Sequence, residues 1–478
     1  MIEFAPFAAS MQPLTNQLHK GEKWDSITIT LLMKKIKSRK TFHLIPLGCA
    51  KNSVDSRSMA ELLDRTGWSE VDIPGQADVI IVNTCGFIEP ARQESLQELR
   101  TAAKKKKSGQ LLIAAGCLSQ RDREDLIKQV PGIDGILGTR RWMDIVEVVH
   151  NMQQKPRLTA NPWQQAKSIG RDEHGVTRAA VQGGSAYLKI GDGCDRACAF
   201  CAIPLIKGPA VSRPMEDILR DARLLRFEGI KEIILISQDT TTYGRDLGLE
   251  DGLPTLLQKL IQSIPEVPWL RILYTFPGSI TDRLIEVMAS NSQIVPYLDL
   301  PLQHAHPDVL RRMQRPADMG WVRKTLQKMR TAMPDLALRT TFIVGFPGES
   351  EAEFQALLDF IQEIQFDRVG IFPYYSERGT AADALGDCVP SEVKEARLQM
   401  LAETQEKISL VRNQTFVGKT LSTLVEGMDE NLAIGRSYRD APEIDGLVIA
   451  EGQAKIGEMV RVQVSGAMVH DLTGNILP

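Results

Sequence analysis

Tyr187-Leu188-Lys189-Ile190-Gly191-Asp192-Gly193-Cys194-Asp195-Arg196-Ala197-Cys198-Ala199-Phe200-Cys201 is the stretch on which the fold turns. A short apolar run of strand character ends in a glycine-rich loop, and the loop carries three cysteines spaced CxxxCxxC. Ligands set just past a strand place the chemistry at the carboxyl end of a parallel sheet or α/β barrel.

The region downstream supports the barrel. After Tyr187–Ile190, five more apolar runs read as strands: Glu232–Ser237, Leu270–Thr275, Tyr297–Pro301, Leu338–Gly345 and Arg368–Tyr374. Helical segments separate them, as expected for an incomplete (β/α)6 barrel open on one side. A long amphipathic helix follows over 391–414. From 416 to 478 short strands alternate with closely spaced glycines, which predicts a small β-barrel.

Thiolates are ligands for soft iron–sulfur clusters, which commonly take four of them. Three close cysteines with no fourth nearby leave one iron open. An open iron can chelate the amino and carboxylate groups of S-adenosylmethionine, and one electron passed through it cleaves the sulfonium to a 5′-deoxyadenosyl radical. The competing reading, a zinc knuckle, normally needs four ligands in two pairs.

A second constellation precedes the barrel. His43–Leu47, Val79–Asn83 and Leu111–Ala115 read as buried strands of βαβ units. Cys49, Cys85 and Cys117 each lie just past one of these strands, and each has a glycine beside it. In an open parallel sheet the carboxyl ends of the strands meet along one edge. Three cysteines far apart in sequence therefore converge there, on a second cluster. The alternative is three buried structural cysteines, a common role for free Cys. Cys388 has no such company and reads as a bystander.

Composition sets the frame. The 478 residues carry Lys+Arg 57 against Asp+Glu 60 and are 43% hydrophobic, the balance of a globular protein of several domains. A general nucleic-acid binder would show a basic excess. No apolar run reaches the roughly 18 residues of a membrane span, so no membrane partner is expected, and no secretory signal is evident. Seven cysteines suit a reducing compartment, by default the cytoplasm. The expected domains are a disordered extension over 1–40, with Met33 an alternative start to Met1; a cluster domain over 41–150; a polar linker over 151–185; a radical domain over 186–415; and the terminal barrel over 416–478. The lysine run 104–107 reads as a solvated helix end.

Over 41–478 the chain resembles the radical S-adenosylmethionine methylthiotransferases. These combine an amino-terminal cluster domain, a radical domain and a carboxyl-terminal TRAM barrel of OB-like type. The resemblance implies two 4Fe-4S clusters, one on Cys194, Cys198 and Cys201 that generates the radical, the other on Cys49, Cys85 and Cys117 that carries or delivers the sulfur. Three stretches look like the branch acting on an aspartate of the twelfth small-subunit ribosomal protein: Leu47-Gly48-Cys49-Ala50-Lys51-Asn52-Ser53-Val54-Asp55-Ser56, Ser237-Gln238-Asp239-Thr240-Thr241 and Tyr297-Leu298-Asp299-Leu300-Pro301-Leu302-Gln303-His304. The string Gly435-Arg436-Ser437-Tyr438-Arg439-Asp440-Ala441-Pro442-Glu443-Ile444-Asp445-Gly446 points the same way. From 416 to 478 five basic residues face nine acidic ones, a balance of −4; a barrel gripping RNA should be basic, whereas this one suits a basic protein partner.

The reaction so implied uses one S-adenosylmethionine to methylate sulfur at the auxiliary cluster. A second, cleaved reductively, yields the radical that removes hydrogen from the aspartate β-carbon, and the carbon radical takes up the methylated sulfur to give 3-methylthioaspartate. The substrate is the ribosomal protein, free or in the assembled small subunit, and an electron donor such as flavodoxin is implied. Phe200 is expected against the adenine of S-adenosylmethionine, with plain core packing as the alternative. Gln238 and Gln303 are expected at the barrel mouth, near cofactor or substrate, with plain surface polarity as the alternative. Gly345-Phe346-Pro347-Gly348-Glu349 reads as a turn dictated by backbone geometry, with a part in shaping the pocket near the sulfonium as the alternative, and His304 and His306 read as loop or cap residues. The rival readings are a methylthiotransferase acting on an adenosine of transfer RNA and, from another class, a non-enzymatic electron-transfer or binding protein.

Overall fold

A computed structural model describes residues 40–154 and 166–478. The extension expected over 1–40, Lys40 apart, and part of the expected linker lie outside the described residues. Thr41–Pro478 form one compact unit.

Its first layer is a parallel sheet of strands β1 (Thr41–Pro46), β2 (Ser69–Glu70), β3 (Val79–Thr84), β4 (Leu111–Gly116) and β5 (Gly135–Gly138), in the order β2-β1-β3-β4-β5. The central strand Val-Ile-Ile-Val-Asn-Thr is buried at every position, because helices cover both faces of the sheet. Helix α1 (Ala50–Arg65) starts directly after the β1 loop.

The second part holds β6 (Ala179–Gln182), β7 (Ser185–Lys189), a short pair β8 (Gly191–Asp192) and β9 (Val211–Ser212), then β10 (Glu232–Ile236), β11 (Trp269–Ile272), β12 (Tyr297–Asp299), β13 (Ala337–Val344) and β14 (Arg368–Pro373). Strands β7, β10 and β11 are parallel, as are β12, β13 and β14. An isolated bridge from Leu270 of β11 to Ile294, just before β12, joins the two groups, and among the described residues β14 pairs with neither β6 nor β7, so the barrel is open on that side. β6, inside the stretch read as a linker, pairs antiparallel with β7.

Helix α2 (Ser391–Gln414) buries Lys394, Arg397, Leu401, Gln405, Ser409 and Asn413, one stripe at three- and four-residue spacing. The stripe is mostly polar because it ties backbones together. Gln405 donates to Phe366 O and Asn413 to Met468 O. Strands β15 (Thr420–Asp429), β16 (Leu432–Ser437), β17 (Val448–Glu451), β18 (Met459–Ala467) and β19 (Leu472–Ile476) then close a five-stranded barrel.

The lumen of the open barrel is filled from both neighbours. Ala50 and Val54 of α1 pack in one cluster with Tyr187, Ile234, Ile236 and Trp269, and with Leu424 and Ala441 of the terminal barrel. Among the described residues no helix is long and apolar enough to cross a membrane.

Candidate cluster centre

The three amino-terminal cysteines follow the last residues of β1, β3 and β4, and local packing brings their loops together. Asn52 donates through Nδ2 to Leu47 O (2.6 Å) and Asn83 O (2.9 Å), tying the ends of β1 and β3. Gly48 has φ +85°, and a Cβ there would stand 2.7 Å from Cys85 Cβ; a Cβ on Gly86 would stand 2.8 Å from Leu118 Cα. The glycine beside Cys85 and the one before Cys49 therefore mark where the three loops touch.

Cys194, Cys198 and Cys201 lie past β7 and the short β8. All six cysteines line one cavity of about 330 Å³. Cys388 is exposed and outside it. Burial pushes the thiols of Cys85 and Cys194 up to about 11 and those of Cys117 and Cys201 up to about 12. Left alone these groups keep their protons at neutral pH, and a soft metal must displace them.

The cavity also gathers cations that sequence reasoning did not single out. Arg196 donates to Asp239 (2.7 Å) and Ser279 (2.6 Å). Arg315 points Nη1 at Cys198 Sγ (3.6 Å) and donates to Pro301 O. Their guanidinium groups lie 3.8 and 4.3 Å from the Phe276 ring centroid. Lys207 donates to Asp55 (3.1 Å) of α1 and Asp192 (2.9 Å). Lys189 and Arg178 also reach Asp55, at 2.6 and 2.5 Å. Three cations against two carboxylates leave a buried positive excess beside Cys117. Burial opposes the charge of Asp55, yet the surrounding cations outweigh it and hold the carboxyl well below its ordinary range.

Phe200, Gln238 and Gln303 line the same cavity. Gln238 donates through Nε2 to Asp192 (3.0 Å), while its Oε1 is buried without a partner. Gln303 and Tyr274, both in the lining, hold φ of +75° and +61°. Such backbone strain in non-glycine residues gathers at functional sites. Lys51, two residues after Cys49, stands 2.9 Å from the Tyr274 ring centroid, and burial pushes it down to about 8. The signal for Lys51 and Arg196 was their place within the cysteine loops; Arg315, Tyr274 and Phe276 had none.

Other expectations resolve as packing. His306 caps the helix Pro307–Arg312 by accepting from Asp308 N, and His304 accepts from His306 N. Glu349 accepts from Gly345 N and Phe346 N, closing that turn. Lys106 and Lys107 are not simply solvated: they donate to Gly132 O and Gly75 O, fastening neighbouring loops.

Comparison with known proteins covers all three parts. Residues 41–138 match the uncharacterized protein family UPF0004, 188–361 the radical SAM superfamily and 417–477 the TRAM domain. The chain is 45% identical to the ribosomal protein uS12 methylthiotransferase RimO of Roseiflexus sp. (strain RS-1), across 91% of this chain and 97% of that protein. It is 46% identical to the RimO of Chloroflexus aurantiacus, across 91% and 99%. Among solved structures, the radical S-adenosylmethionine methyltransferase TsrM of Kitasatospora setae shares the fold, with a TM-score of 0.52 at 13% identity, over 82% of this chain and 81% of that one.

Proposed function

The chain belongs to the RimO family of ribosomal protein uS12 methylthiotransferases, and from that premise we propose that it inserts a methylthio group at the β-carbon of an aspartate of uS12. It is a radical S-adenosylmethionine enzyme, and its cofactors are two 4Fe-4S clusters and S-adenosylmethionine. In this reading Cys194, Cys198 and Cys201 hold the cluster that binds S-adenosylmethionine, and Cys49, Cys85 and Cys117 hold the auxiliary cluster. The observation that carries it is the opening of both triads onto one cavity. A radical made on one side is thereby kept close to a sulfur delivered from the other.

When bound, the reduced cluster and S-adenosylmethionine supply a radical able to take hydrogen from an unactivated carbon, where no acid or base has a handle. The chain supplies position, charge and exclusion of water. Lys207 favours thiolate at Cys117, against the burial that raises it. Arg315 directs a donor at Cys198 Sγ, a contact that raises the potential of a cluster. Phe200 offers an apolar face for the adenine, the unpartnered Gln238 Oε1 an acceptor for S-adenosylmethionine, and Gln303 a polar group near cofactor or substrate.

The terminal barrel keeps its acidic surface in the fold. Two of its basic residues, Arg436 and Arg439, and two of its acidic ones, Asp440 and Asp445, have buried side chains, so three basic and seven acidic residues remain. That surface suits a basic ribosomal protein. On this reading the enzyme works in the cytoplasm on uS12, with an electron donor such as flavodoxin.

The test is the intact and fragment mass of uS12 from cells with and without the gene. The expected result is a gene-dependent gain of one methylthio group in place of hydrogen, mapped to an aspartate. An unchanged uS12 together with a lost methylthio nucleoside in transfer RNA would overturn the substrate.

A further inference from the structure

Four cations line the cavity between the cysteine triads, and three of them are spoken for. Arg196 is bound to Asp239, Arg315 to Pro301 O and Lys207 to Asp55 and Asp192. Lys51 is not. Among the described residues its ammonium has no hydrogen-bonding or ion-pair partner, and it rests 2.9 Å from the centroid of the Tyr274 ring. An ammonium withdrawn from water with no anion in direct contact is costly; Asp299 and Cys49 attract it only from beyond hydrogen-bonding distance, so the site is suited to an anion arriving from outside.

Two further features fix where that charge is presented. Lys51 sits in the first turn of α1, anchored one residue on by the Asn52 bonds that join the β1 and β3 loops. Tyr274, under the ammonium, is held at φ +61° by its N–H donating to Asp299 Oδ2 (3.0 Å) and by its carbonyl accepting from Thr240 N (2.9 Å). The surroundings thus hold an aromatic face beneath an ammonium that has no bonded anion, in the cavity that both triads line.

We propose that Lys51, seated on the Tyr274 ring, is the specificity-determining residue that receives the side-chain carboxylate of the substrate aspartate. The inference rests on the uS12 reading above. A carboxylate paired there places the adjoining β-carbon inside the cavity, between the radical source and the sulfur source. The same contact distinguishes aspartate from asparagine by charge, since an amide leaves the ammonium uncompensated.

The experiment uses full-length enzyme with both clusters, recombinant uS12, and a uS12 variant with asparagine at the target position. Binding of both proteins is measured, with steady-state kinetics on uS12. The wild-type enzyme is expected to bind the aspartate form at least about tenfold more tightly than the asparagine form. Lys51→Met is expected to lose that preference and to raise KM for uS12 by about tenfold or more, with the iron content and cluster EPR spectra of the wild type. Lys51→Arg is expected to restore the preference. A Lys51→Met enzyme that still prefers aspartate overturns the inference alone. So does one that loses the auxiliary cluster, because Lys51 would then serve the cluster and not the substrate. A wild-type enzyme that neither distinguishes the two proteins nor modifies uS12 overturns the substrate reading, and this inference with it.

Discussion

Gly48 stands where two of the amino-terminal cysteine loops meet, and its lack of a side chain is what lets Cys49 approach Cys85. An added Cβ would come within 2.7 Å of Cys85 Cβ, at a φ of +85° that is strained for any other residue. Gly48→Ala is therefore expected to cost about 1–3 kcal/mol of local strain and to spread the Cys49 and Cys85 thiols. Iron and acid-labile sulfide of the reconstituted variant should fall to about half the wild-type content, with the cluster on Cys194, Cys198 and Cys201 retained in the EPR spectrum. Full iron content in Gly48→Ala would show that loop contact does not position this triad. Strain at Tyr274 and Gln303 belongs to the same scale: both residues face the cavity, and in both a neighbouring strand fixes the backbone.

At the level of elements, what was legible in the sequence is what local pattern controls. β3, β4, β10 and β11 announce themselves as apolar runs, because strands covered on both faces need continuous apolar sequence, while β1 and β13 show the alternation of strands buried mainly on one face. Cysteines placed just past such runs share one sheet edge by topology alone, so both triads could be named before their geometry was known. β5 was not legible: Gly-Ile-Leu-Gly is four residues long and flanked by glycine. β6 hid in a polar stretch because it is an edge strand, paired on one side only to β7. The cations of the cavity escaped for a different reason. Arg315 meets Cys198 across 117 residues of chain, a contact that no periodicity encodes. Lys51 could be seen beside Cys49, but its want of a partner is a property of the folded cavity.

For the whole molecule, the string 435–446 takes on a role that its sequence did not disclose, as the seam between the terminal barrel and the radical domain. Arg436 donates to Ser185 (2.8 Å) and Glu232 (2.7 Å), Arg368 to Asp440 (2.6 Å), and Tyr297 to Asp445 (2.6 Å). Ser185, Glu232, Tyr297 and Arg368 are each the first residue of a strand, so the seam lies at the end of the sheet opposite the cysteines. Burial works to raise the Glu232 carboxyl, but Arg271 and Arg436 outweigh it and hold the group down at about 2, against an ordinary value of 4.5. Its stabilisation is therefore complete above about pH 4.5 and is lost as pH falls toward 2. Glu232→Gln leaves two buried arginines short of their anion and is expected to cost about 3–5 kcal/mol at pH 7. In thermal midpoints taken across acid pH, the variant should lack the part of the wild-type decline due to Glu232; identical profiles would remove Glu232 from the seam. The central claim, that two cysteine triads hold two clusters across one cavity, is met most directly by counting iron and sulfide in anaerobically reconstituted protein. The wild type, the Cys49/Cys85/Cys117→Ala variant and the Cys194/Cys198/Cys201→Ala variant should hold about eight, four and four irons per chain, with matching sulfide and 4Fe-4S Mössbauer spectra. A wild type that holds zinc, or only one cluster's iron, which both triple variants then lose together, would contradict it.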